Sequence, residues 1–166
     1  MAARESIPFA RWYQLIEGLQ DSSQRFYASV EEAVKKRNIY DVKISRVDYR
    51  ESGIFSAKRE YLRVKWKKYI FDICAAPFGN GFFISWWLGS SPSKIMALIY
   101  MIPFFGPLLV RTFKPETYYQ LDSTAMFQES ISRAVLEVVD DATEKNGLRS
   151  LSELERKPIL QDMFKK

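Results

Sequence analysis

The first hydrophobic pattern along the chain has a helical period. Trp12, Leu15, Ile16, Leu19, Phe26, Val30, Ala33 and Val34 recur at spacings of three, four and seven, and apolar residues so spaced line one face of a helix. The pattern predicts an amphipathic helix over 8–37. Pro8 suits its first turn, with Ser6 as cap. Lys35, Lys36 and Arg37 crowd its last turn, where the helix dipole favours cations, and Asn38 is the stop.

From residue 40 the period changes to two. Val42 and Ile44 alternate with Lys43 and Ser45. The phase then slips to Val47 and Tyr49, which a bulge near Ser45 and Arg46 would explain. Glu51, Ser52 and Gly53 mark a turn. Leu62, Val64 and Trp66 alternate with Arg63 and Lys65, and Lys67-Lys68 is the next turn. Residues 69–75 read as a third strand and 82–88 as a fourth, joined by a turn rich in Gly and Asn. The expected architecture here is a four-stranded antiparallel meander over 40–88.

A second helical stripe runs through Phe127, Ile131, Ala134, Val135, Val138 and Ala142. It predicts a helix over 122–146, capped by Asp122 or Ser123 and ended by Asn146-Gly147. Ser150 and Glu153 have the spacing of a capping box for a short last helix, which Pro158 divides or restarts. The fold class expected is α+β, organised as 1–89 (helix and sheet), 90–114 (an apolar segment) and 115–166 (C-terminal helices packing on the first part).

The apolar segment carries the functional expectation. Residues 95–110 contain no charge, and Lys94 and Arg111 flank them. Its bulk is supplied by Ile95, Met96, Leu98, Ile99, Met101, Ile102, Phe104, Phe105, Leu108, Leu109 and Val110. As a helix it would extend about 24 Å at ~1.5 Å per residue, short of a hydrocarbon core of about 30 Å. Pro103, Gly106 and Pro107 interrupt it. Three readings stand: a re-entrant or in-plane hairpin, a single kinked transmembrane span, or a buried helix or subunit interface of a soluble domain. The hairpin is preferred because it leaves both amphipathic helices beside the sheet. Trp86, Trp87 and Phe113 are then the interfacial aromatics, with core packing as the competing role of Trp86 and Trp87.

Charge sharpens this picture. The net charge is +5. Residues 1–68 hold 15 Lys/Arg against 9 Asp/Glu, whereas 69–166 hold 10 against 11. Lys58, Arg59, Arg63, Lys65, Lys67 and Lys68 form the densest basic stretch. It suits either a solvated hairpin edge or anionic headgroups. Nucleic acid is disfavoured, because no zinc, glycine-rich or recognition-helix motif accompanies the charge.

Candidate chemistry is sparse. The chain has no histidine and one cysteine, Cys74. That removes Ser-His and Cys-His nucleophiles and any internal disulfide. Asp72 lies between Phe71 and Ile73, either as a buried acid or paired with a cross-strand cation. Glu137, Asp140, Asp141 and Glu144 share one helix face, which reads as a solvated, ion-paired face before a metal site. No catalytic residue, cofactor or metal is expected, and no signal peptide. The expected function is a non-catalytic, membrane-associated interaction or scaffold protein. Its partners are a bilayer and a second copy or another membrane protein, at the cytoplasmic face of an inner membrane. The alternatives are a pore-forming effector and a soluble domain.

Overall fold

The computed structural model describes residues 7–50, 58–91 and 117–160. Strand β1 (Ile7–Glu17) is followed by helix α1 (Ser23–Lys36), strands β2 (Lys43–Arg50), β3 (Lys58–Trp66), β4 (Tyr69–Phe78) and β5 (Gly81–Ser90), helix α2 (Tyr118–Lys145) and the two-residue β6 (Ile159–Leu160). The strands form one antiparallel sheet in the order β2-β3-β4-β5-β1-β6. Helix α1 carries the chain from β1 across the sheet to its opposite edge.

Among the described residues the sheet therefore has six strands, not four, and the helix expected over 8–37 is a strand followed by a helix. Ala10, Trp12 and Ile16 are buried, whereas Tyr13 and Leu15 on the other side of β1 are exposed. Apolar residues on both faces of this strand imitate a helical stripe, because 12, 15, 16 and 19 also fit a period of 3.6. The break is Gly18, at φ 76, a backbone conformation cheap for glycine. Helix α1 then starts where Ser22 accepts the Arg25 amide at 3.2 Å.

Two smaller expectations are also corrected. β2 and β3 pair residue for residue from Lys43↔Lys65 to Arg50↔Lys58, with no bulge at Ser45 or Arg46. The phase slip arises because Ile44 packs on the helix-covered face while Val47 and Tyr49 belong to the other. The short last helix is instead a turn leading to β6. Helix α2 begins earlier than expected, at a capping box in which Thr117 and Gln120 exchange hydrogen bonds.

Among the described residues, no helix is long and apolar enough to cross a membrane. Helix α1 has 14 residues, and the longer α2 carries Glu129, Arg133, Glu137, Asp140, Asp141 and Glu144. That overturns the transmembrane or re-entrant helix of the expected architecture. Residues 95–110 and Phe113, on which that expectation falls, lie outside the described residues.

The core lies between the sheet and the two helices. Phe71, Trp86 and Phe127 anchor it, with ring centroids 4.7 Å apart for Phe71–Trp86 and 6.3 Å for Phe71–Phe127. Phe26 and Tyr27 of α1 and Ile131, Val135 and Val139 of α2 are fully enclosed beside them. Tyr27 is tied to the sheet by its hydroxyl, which accepts the Ala75 amide at 2.9 Å and donates to the Glu60 carbonyl at 2.7 Å. Burial pushes its pKa up, so it stays a neutral donor.

The opposite face of the sheet is buried at its centre too. Ile70, Asp72, Cys74 and Ser85 are all enclosed. Asp72 meets Arg63 across the β3–β4 ladder, its two oxygens accepting from Nε at 2.8 Å and Nη2 at 2.9 Å. Tyr49 donates to Asp72 at 2.9 Å and also contacts Arg63. Two ions in such a place persist only because each satisfies the other. Asp72→Ala removes the carboxylate that Arg63 meets across the ladder and should destabilise the fold by about 3–5 kcal/mol. The double variant Arg63→Met/Asp72→Ala should recover much of that loss, as read from urea unfolding midpoints.

Candidate functional site

The basic stretch of the sequence is divided by the strand that carries it. Lys58 and Arg59 open β3, and Lys65 precedes its last residue, Trp66, just before the Lys67-Lys68 turn. Eight strand residues extend about 26 Å at ~3.3 Å each, so the two groups lie at opposite ends of the sheet. Arg63 between them is buried in its pair with Asp72 and is no part of a basic surface.

At the Lys67-Lys68 end, cations and aromatic rings are interleaved. Trp66 and Tyr69 pair across the two-residue turn, with ring centroids 6.2 Å apart. Lys67 holds φ 52, unusual for a side-chain-bearing residue. Its Nζ lies 4.4 Å from the centre of the Trp66 ring and 5.9 Å from that of Tyr119. The Lys68 Nζ lies 5.3 Å from the Tyr69 ring. Each such contact is worth about 0.5–1 kcal/mol at an exposed site, enough to bias where a flexible ammonium rests.

Three further elements converge on this turn. The Trp66 indole donates to the Tyr40 carbonyl at 3.0 Å. The Tyr69 hydroxyl donates to the Gln120 carbonyl in the first turn of α2 at 3.1 Å. The Ser91 amide donates to the Lys68 carbonyl at 2.7 Å. The end of β5 and the start of α2 are thus fixed beside the same two lysines. Between the turn and α2 lies a cleft of about 300 Å³, lined by Lys67, Lys68, Tyr69, Tyr119 and the polar side chains of Thr117, Gln120 and Ser123. Tyr40, Tyr118 and Tyr119 stand exposed at this end of the sheet.

Lys43 joins the group by register. It lies directly opposite Lys65 on the edge of the sheet, and both side chains are exposed. Like charges placed directly opposite each other destabilise a ladder. Asp72 is committed to Arg63, and the acidic residues next in sequence to this end include Asp41, Glu116 and Asp122, against four lysines. The other end of the sheet is mixed in sign, with Glu17, Asp21, Asp48 and Glu60 beside Arg25, Lys58 and Arg59.

The remaining sequence candidates have other roles. Trp86 is buried in the core, whereas Trp87, one position on, is 36% exposed with the Arg11 guanidinium 5.6 Å from its ring. Of the acidic row on α2, Glu137 accepts from Arg37 at 2.7 Å and Asp140 is held by Arg156 at 2.8 and 2.9 Å. No cluster of three or more potential metal ligands occurs among the described residues. Sequence reasoning does not find Lys43, Tyr40, Tyr118 or Tyr119. The signals present were the Tyr118-Tyr119 pair beside the Thr117-Gln120 capping box and the aromatic residues flanking Lys67-Lys68.

No family model matches the chain, and no curated protein matches it. A solved structure, that of TTHA0849 from Thermus thermophilus, is similar at 18% identity, covering 82% of this chain and 99% of its own, with a TM-score of 0.31. A likeness that low carries no argument about fold or role.

Cys74 is fully buried in β4. Desolvation pushes its thiol pKa up, against the opposing pull of Arg59 and Tyr61. A raised pKa keeps the thiol protonated at neutral pH, and the thiolate is the reactive form. Native protein at pH 8 should therefore react with a thiol reagent such as dithiobis-nitrobenzoate far more slowly than urea-unfolded protein. Equal rates would contradict the burial.

Proposed function

We propose that the chain is a non-catalytic interaction module that rests on an anionic lipid surface through its Lys67-Lys68 end, without crossing the bilayer. One observation carries the reading. Lys43, Lys65, Lys67 and Lys68 collect at one end of the sheet among Trp66, Tyr69, Tyr118 and Tyr119.

The physical fit is twofold. Lysines near an anionic leaflet each gain about 1 kcal/mol, and Trp and Tyr favour the headgroup level, where one side of the ring is wet. The repulsion of the Lys43–Lys65 pair has no benefit to folding, and an anionic surface relieves it. The cytoplasmic leaflet, which carries the negative surface potential, is the location this reading keeps. A non-catalytic role is supported by a sequence without histidine and by a lone cysteine whose thiol is buried and protonated.

Vesicle flotation tests the proposal. The protein should float with phosphatidylcholine vesicles containing phosphatidylserine and stay behind with phosphatidylcholine alone. Binding should weaken with salt, since the screening length falls to about 3 Å at 1 M. Each Lys→Gln change among Lys43, Lys65, Lys67 and Lys68 should reduce affinity about five-fold, the equivalent of ~1 kcal/mol. Equal binding to neutral vesicles, or none to either, would remove the lipid surface as the partner.

A further inference from the structure

Strand β1 buries one face and leaves the other open. Ala10, Trp12 and Ile16 point into the core, whereas Tyr13 and Leu15 on the opposite face are 51% and 44% exposed. Register places Trp87 of β5 opposite Arg11 on that open face, Phe83 opposite Leu15, and Ile159 of β6 on the other side of Arg11. Trp87 and Ile159 are exposed as well, and Phe83 is half-buried. Farther across the same face Ile70, Cys74 and Ser85 are enclosed, so the apolar patch is confined to the β1 side of the sheet. A contiguous patch of this kind on a folded domain marks a contact surface.

Two charges bracket the patch along the strand. Arg11 and Glu17 lie on the same face, about 20 Å apart at ~3.3 Å per residue. Among the described residues, neither side chain forms a hydrogen bond or an ion pair. The Arg11 guanidinium lies over the Trp87 ring, and its Nε is buried without a hydrogen-bond partner. A buried donor left unmade carries a desolvation cost that an acceptor on a partner relieves.

We infer that this face of β1 is the contact surface for a second copy of the chain, the two β1 strands stacked antiparallel. The two-fold axis lies between the sheets and crosses β1 at Gln14. The segment Arg11-Trp12-Tyr13-Gln14-Leu15-Ile16-Glu17 is then its own complement. Arg11 of each copy faces Glu17 of the other, and Tyr13 faces Leu15. A two-fold contact demands this reciprocity, in which residue i meets j and j meets i. Parallel stacking would set Arg11 on Arg11 and Glu17 on Glu17, and both pairs repel. Facing sheets pack about 10 Å apart, a gap that an arginine and a glutamate side chain span together. An apolar centre with charge at its rim has the anatomy of a protein interface. One resting on so few side chains is small, so the dimer is concentration-dependent rather than permanent. The Lys67-Lys68 ends of the two copies point in opposite directions and stay open, so the inference does not depend on the lipid reading.

Sedimentation velocity on the full chain, without lipid, tests the contact. Wild type should pass from monomer to dimer as its concentration rises through the micromolar range. Arg11→Glu and Glu17→Arg, each alone, set like charges at both rims and should weaken association about ten-fold or more. An equal mixture of the two single variants should regain it, because every like pair becomes an opposite pair in the mixed dimer. Arg11→Glu/Glu17→Arg should associate as wild type does. Lys58→Glu, the same change of charge on β3, should leave association unaltered. Circular dichroism checks that each variant is folded, and the exposed Glu17 supplies a sufficient test if Arg11→Glu is not. A wild type that stays monomeric throughout would overturn the inference and leave the patch to another occupant. Dimerisation that neither single variant weakens, or a loss that mixing folded variants does not repair, would overturn it too. None of these results bears on vesicle flotation, so the two readings fail separately.

Discussion

Seven consecutive residues of β4, from Tyr69 to Ala75, are buried, and the rest of the structure answers to that constraint. A strand enclosed on both faces needs neighbours on both edges, which β3 and β5 supply. Its helix-covered face needs apolar partners, and Phe26, Tyr27, Phe127 and Ile131 provide them. A charge on the other face must be neutralised where it stands, so Asp72 draws Arg63 out of the basic series and into the sheet. That last step shapes the surface as well. Once Arg63 is committed inside, the remaining cations fall into two separated groups.

The two ends of the sheet then differ in kind. At one end Gly18 donates to the Asn80 carbonyl at 3.0 Å, and Gly81 lies so close to β1 that an added Cβ would sit 2.7 Å from the Ile16 carbonyl oxygen. That end closes tightly, with charges of both signs. The other end gathers lysines over rings, and includes a cross-strand pair of like charge. The first reads as an end built for stability. The second keeps a repulsion that packing does not require.

Much of the fold was legible. Strand β3 follows from alternation, β4 and β5 from apolar runs bounded by the turns at Lys67-Lys68 and Gly79-Asn80, and α2 from its stripe. The first segment imitates a helix because Trp12, Leu15 and Ile16 satisfy two periods at once; Gly18 and the capping residue Ser22 are the local signs of the break. β6, two residues long, has no periodicity to detect. The site was legible only as charge. That Lys43 faces Lys65 depends on register, and that Tyr119 meets Lys67 depends on where α2 docks. Neither is a local property of the chain. Arg63 shows the converse: its sequence neighbours include solvent-facing lysines, and its real partner is nine residues away across a ladder.

The central claim is that one end of the sheet, and not the basic charge as a whole, meets the partner surface. Amide hydrogen exchange with and without phosphatidylserine-containing vesicles tests it directly. New protection is expected at 40–43, 65–69 and 117–121, with the turn at 79–80 and the segment 18–25 unchanged. Protection centred on 18–25 and 58–60, or spread evenly over the domain, would contradict the account.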